Sequence, residues 1–181
     1  MTAAAFLWGK LPAHGDFVCR GLDGEARDAL DHWLSADLQA AREVIGDTFE
    51  AIYDEAPPWR FRWQDGERWT AGAMAPSMDK VGRRYPVLIG QSGLDEGETL
   101  MVAAASEDRI YTAFAEGWTA DRLAEEAASP ALAENVDLPP PPPPEGWWTL
   151  GGDCYPPRAL DAARPSHFWH DILARSEGTA E

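Results

Sequence analysis

Basic residues are scarce in this 181-residue chain: 15 Lys and Arg stand against 31 Asp and Glu, for a formal charge of −16. A molecule with that balance repels phosphate backbones, so no nucleic-acid partner is expected. Cysteine is scarcer still. Cys19 and Cys154 are the only two, without CxxC spacing, and no disulfide framework follows from them. A bond between the two stays open, with reduced thiols in a cytosol the expectation. No apolar run approaches the roughly 20 residues of a membrane helix. Met1 to Trp8 has no basic segment, and its apolar run is broken by Gly9-Lys10, which argues against a signal peptide. No G-x-S-x-G elbow, Walker loop or G-x-G-x-x-G follows a strand. These absences lead us to expect a soluble cytoplasmic protein with no membrane partner, no metal and no cofactor.

What is present is apolar and aromatic: 45% of the residues are hydrophobic and nine are tryptophan, enough for one well-packed domain spanning residues 1–181. Ala4 to Trp8 reads as a buried strand ending at Gly9. Asp23 is placed to cap a helix in which Leu30, Trp33, Leu34, Leu38, Ala41 and Ile45 share one face, with Gly46 at its end and Asp47 capping a short second helix. Trp59, Phe61 and Trp63 alternate with Arg60, Arg62 and Gln64, the period of a strand with one solvated face, and Asp65-Gly66 turns it into a partner through Trp69 to Ala75. Tyr85 to Ile89 reads as a third strand of that sheet, closed by Gly90 and Gly93. Thr99 to Ala128 is helical, with a second start near Thr119. Pro139 to Pro144 predicts a polyproline II spacer of roughly 19 Å at about 3.1 Å per residue. A strand from Gly146 and a closing helix over Ser166 to Arg175 return to the core. The fold class expected is α/β (α+β), with a mostly antiparallel central sheet of about five strands flanked by helices.

Two basic islands interrupt the acidic background. Residues 1–22 and 76–93 together hold five cations and two carboxylates, a net +3, which leaves −19 on the rest. The first carries Lys10, His14, Asp16 and Arg20; the second carries Ser77, Asp79, Lys80, Arg83 and Arg84. If their strands lie in one sheet, the two loops meet at one edge. The Arg83-Arg84 pair then suits bidentate recognition of carboxylate or phosphate, or pairs internally with Asp16 or Asp79 and pins the loops together. An enzyme reading uses His14, Asp16 and Ser77 as a small hydrolase or phosphatase. His167 and His170 read as helix-surface residues. Ser77 to Lys80 also matches Ser-x-x-Lys, a spacing common by chance and unaccompanied here by an oxyanion-hole motif.

Three stretches taken together carry a resemblance: Phe6 to Val18 (FLWGKLPAHGDFV) with Arg20, Pro57 to Phe61 (PPWRF), and Met74 to Pro86 (MAPSMDKVGRRYP), with Gly146-Trp147-Trp148-Thr149 as a late fourth. In order and spacing they resemble the TagF (ImpM) family associated with bacterial type VI secretion. The resemblance implies a non-enzymatic accessory protein, a post-translational repressor of assembly acting with a forkhead-associated (FHA) domain scaffold. It also implies action alongside a threonine kinase/phosphatase pathway. Some relatives are fused to a phosphatase domain, for which this sequence has no room. The six-proline tract is not a feature that the family leads one to expect.

Overall fold

The structure, a computed structural model, describes residues 3–130 and 142–175. Along β1 (Ala4–Gly9), Phe6 and Trp8 enter one apolar cluster and Leu7 enters another, all three being buried. A strand buried on both faces needs cover on both sides of its sheet. The other strands are β2 (Val18–Arg20), β3 (Trp59–Asp65), β4 (Arg68–Ala75), β5 (Val87–Leu94), β6 (Gly146–Thr149) and β7 (Arg158–Leu160). They form one sheet in the order β2-β1-β5-β4-β3-β6-β7, antiparallel throughout.

The expected class holds, but the sheet has seven strands rather than about five. The two unforeseen strands, β2 and β7, are three-residue edges, too short to leave a period-2 signal.

One face of the sheet is covered by α1 (Gly24–Ile45), α2 (Phe49–Glu55) and α5 (Phe168–Ile172), around Leu34, Leu38, Phe49, Trp147 and Phe168. The other is covered by α3 (Thr99–Glu116) and α4 (Ala120–Ala128), around Ile110, Leu123, Val87 and Ile89. Asp23 caps α1 by accepting the Ala26 N–H at 2.8 Å, and Gly46 ends it, as the sequence predicted. Asp47 does not cap the second helix. It lies in a 3₁₀ turn (Gly46–Thr48) that runs directly into α2, so the chain offers no extended capping position there.

Two further expectations are corrected. β5 starts after Tyr85 and passes through Gly90 and Gly93 instead of stopping at them. Gly90 faces Gly72 across the β4–β5 pair, and a Cβ on either would approach the ring of Phe6 or Phe61 to 2.9 or 2.7 Å. The glycines are mid-sheet because a Cβ there would meet a phenylalanine ring and, closer still, a carbonyl oxygen of the neighbouring strand, that of Ile89 at 2.1 Å or Ala71 at 2.5 Å. Arg60 is not on a solvated face. It is buried beneath α3, where its Nε donates to Glu107 Oε2 at 2.7 Å. Burial pushes the Glu107 carboxyl up, and Arg60 offsets this only in part.

After the proline tract the chain rejoins the first core through Trp147, Phe168 and Trp169. The closing helix is shorter than expected and begins after His167, which adopts φ 61°. Pro139 to Pro141 lie outside the described residues, and with them half of the expected rod. The carbonyl of Pro143 accepts a hydrogen bond from Arg62 Nε at 2.9 Å.

Candidate functional site

β1 leads at Gly9 into a loop over residues 10–17, and β4 leads at Ala75 into a loop over residues 76–86 that returns as β5. Gly9 pairs with Val87, so both loops leave the same end of the sheet. The approach is tight. Gly9 has φ 124°, a Cβ there would sit 1.9 Å from the Pro86 carbonyl oxygen, and the Lys10 N–H donates to that oxygen at 3.1 Å.

Asp79 is the knot between the loops. Its carboxylate is fully buried and takes four donors: Oδ2 accepts from Lys10 Nζ at 3.0 Å and from Arg83 Nε at 2.7 Å, and Oδ1 accepts from the N–H groups of Arg83 (3.0 Å) and Val81 (3.1 Å). Burial pushes this carboxyl up. The Arg83 backbone N–H, the Lys10 ammonium, the Arg83 guanidinium and the Val81 N–H outweigh it and hold Asp79 well below the usual carboxylate range. Arg83 also donates from Nη2 to the Gly15 carbonyl at 2.6 Å, and the Lys80 N–H donates to the His14 carbonyl at 2.8 Å. Two loops 69 residues apart in sequence are thereby locked as one unit.

The other predicted residues are placed as follows. Ser77 is buried, its hydroxyl donates to the Lys10 carbonyl at 2.7 Å, and its N–H donates to the Tyr53 hydroxyl at 3.1 Å. His14 Nε2 accepts the Ala120 N–H at 2.9 Å, at the first turn of α4. Asp16 is exposed and accepts the neighbouring Phe17 N–H. Arg20 stays out of the cluster; it pairs with Asp121 of α4 at 2.6 Å. Lys80 is exposed, with its side chain beside Gly15. Arg84 grips Asp54 of α2 with two bonds of 2.7 Å and reaches Glu50 at 3.1 Å.

The internal staple weighed from sequence is therefore present for Arg83 with Asp79, absent for Asp16, and redirected to α2 for Arg84. The side-chain hydrogen bonds of His14, Asp16 and Ser77 go to separate backbone groups, those of Ala120, Phe17 and Lys10, and do not link the three to one another.

Sequence reasoning missed Tyr53, Arg42 and Phe17. Tyr53 is a helix residue whose hydroxyl both accepts from the Ser77 N–H and donates to its carbonyl at 3.3 Å. Burial lifts its phenol far above the ordinary range, only partly offset by the Ser77 backbone. Arg42, at the end of α1, donates to the Arg84 carbonyl at 3.1 Å and lies over the Phe49 ring. Phe17 stands in the quoted motif, yet its ring is exposed. Between the second loop and the α1–α2 corner opens a groove of about 710 Å³, with Lys10, Arg42, Arg83 and Arg84 among its walls. Among the described residues no group of three or more His, Cys, Asp or Glu is placed to hold a metal ion, and no helix is long and apolar enough to cross a membrane.

The model of the TagF N-terminal domain, described as type VI secretion system-associated, matches residues 7–138 and so takes in both loops. The chain belongs to this family. Its fold is similar to that in the crystal structure of PA0076 from Pseudomonas aeruginosa PAO1, with a TM-score of 0.58 and 20% identity over 94% of each chain. No curated protein sequence matches the chain. The family's type VI secretion association makes this an accessory protein of that system, and the two-loop unit lies inside the matched segment.

Proposed function

We propose that this TagF-family chain is a post-translational repressor of type VI secretion assembly, and that it acts in the cytoplasm without catalysis. It binds an FHA-domain scaffold of the secretion system through the outward side of the two stapled loops. The observation that carries this reading is the Asp79 knot. A buried carboxylate with two cations is a poor device for stability alone, since desolvating Asp79 and Lys10 offsets most of their attraction while Arg83 stays 59% exposed. What such a knot supplies is a fixed loop geometry, and a surface fixed before binding loses less conformational entropy when a partner arrives. Ser77, His14 and Asp79 are spent on backbone groups and loop contacts, which suits a recognition framework better than a hydrolytic centre.

The test is a pull-down of the purified FHA scaffold by the wild-type chain and by an Arg83→Ala/Arg84→Ala variant, with melting curves in parallel. Capture by the wild type and loss in a variant that still melts cooperatively supports the reading. Unchanged capture by the variant, or none by the wild type, refutes it. A companion assay removes the gene and follows secretion: release should rise. Metal analysis and an ester and phosphoester screen bear on the absence of catalysis, and robust turnover would overturn it.

A further inference from the structure

We infer that a hollow under the first turns of α1 binds an aromatic α-amino acid whose ring carries a hydrogen-bonding group, as in tyrosine or tryptophan. The hollow is lined by none of the residues of the two stapled loops, so this inference stands or falls independently of the proposed function.

The hollow begins in the register of the sheet. Ala4, Ser92, Thr70 and Trp63 stand in one cross-strand row on β1, β5, β4 and β3, and residues paired in this way share a face. Three small side chains in succession leave the start of α1 with nothing to rest on. The space that remains is about 370 Å³, in the range of a small-ligand pocket. Its walls are apolar: Phe6, Leu30 and Leu88 are buried, and Trp63 is half-buried. Trp63 is held before any ligand arrives, since its ring stacks on Phe61 at 4.5 Å with an interplanar angle of 15°.

The polar groups of the hollow lack partners. Thr70 is 8% exposed, yet its hydroxyl makes no hydrogen bond among the described residues, where buried hydroxyls ordinarily have one. The neighbouring Ser92 hydroxyl has only a long contact, 3.4 Å to the Ala4 carbonyl. At the mouth stand Arg164 and Asp65, and neither side chain has a hydrogen bond or ion pair among the described residues, with the other or with any third group. Asp23 lies there too, accepting the Ala26 N–H at 2.8 Å.

The mouth therefore holds one guanidinium and two carboxylates. A plain carboxylate would meet Arg164 but face Asp65 and Asp23, and a plain amine would leave Arg164 unanswered. An α-amino acid brings both signs and no net charge: its carboxylate meets Arg164 and its ammonium meets the two aspartates. Its ring packs on Trp63 and Phe6, and a phenol hydroxyl or indole N–H at the far end reaches the Thr70 hydroxyl. A bare phenyl ring would bury that hydroxyl without a partner, so Thr70 selects against it.

The experiment is titration calorimetry of the whole chain with L-tyrosine and L-tryptophan. The comparison ligands are L-phenylalanine, tyramine (no carboxylate) and desaminotyrosine (no ammonium). The proteins are the wild type, Arg164→Gln and Thr70→Val, all checked by melting. Tyrosine or tryptophan should bind saturably, phenylalanine about threefold or more weaker, and desaminotyrosine weakest because two carboxylates oppose it. Arg164→Gln should weaken binding about tenfold or more with Tm unchanged, since that side chain is exposed and unpaired. Thr70→Val should weaken tyrosine and tryptophan about threefold or more and leave phenylalanine as it was, a split that a purely structural role would not produce. Should Thr70→Val fail to melt cooperatively, Arg164→Gln and the phenylalanine comparison decide alone. If neither amino acid binds up to its solubility, or if either folded variant binds as the wild type does, the inference is overturned.

Discussion

Tyr53→Phe removes one oxygen atom and should unfasten the second loop from the helical layer. In the wild type the phenol is buried and accepts the Ser77 N–H at 3.1 Å while donating to the Ser77 carbonyl at 3.3 Å. The carbonyl has a second partner, the Tyr85 N–H at 3.1 Å, and stays satisfied after the change. The Ser77 N–H has no such substitute, and a buried donor left without an acceptor costs about 1–3 kcal/mol. Taking about 2 kcal/mol and roughly 2–4 °C per kcal/mol for a chain of this size gives a Tm lowered by about 4–8 °C. Differential scanning calorimetry reads the shift, and hydrogen exchange should show the Ser77 amide losing protection. A Tm within about 1 °C of wild type, with that amide still protected, would refute the reasoning.

Three other outcomes follow from the same structure. Gly9→Ala puts a Cβ 1.9 Å from the Pro86 carbonyl oxygen at a residue with φ 124°, so the chain should fold poorly or melt many degrees lower, as circular dichroism would report. Burial pushes the Tyr85 phenol up to about 12 and the Tyr53 phenol further, so the folded chain keeps protons that the unfolded chain releases near pH 10. The unfolded state then binds fewer protons, and stability should fall as pH rises from about 10 to 12, less steeply in Tyr53→Phe; urea titrations across that range measure it. His14→Ala leaves the Ala120 N–H without its acceptor, and the loss should be about 1 kcal/mol, like that of a helix cap, with α4 amides exchanging faster.

Legibility in the sequence followed the range of each signal. α1 was readable because its cap, its apolar face and its terminal glycine all lie within one helix. The two loops were readable as motifs, and their meeting followed from β1 and β5 being sheet neighbours. Which charges would pair was not readable. Arg84 turned to Asp54 and Glu50 on a helix 30 or more residues away, and Asp79 rather than Asp16 took Lys10 and Arg83, because only Asp79 is enclosed by both loops. Tyr53 carried no signal at all, since its role depends on a hydroxyl reaching a turn 24 residues on. Arg60 looked solvent-facing because strand period reports which residues share a face and not what covers that face; α3, contributed by later sequence, covers it.

The central claim, that loops locked by Asp79 present a binding surface, is tested most directly by the affinity of the purified chain for the FHA-domain scaffold. Wild type and the Arg83→Ala/Arg84→Ala variant are compared by titration calorimetry at a temperature below both melting midpoints. The account predicts saturable binding by the wild type and a loss of about tenfold or more in the variant. Equal affinity of the two folded proteins, or no binding by the wild type, would contradict it.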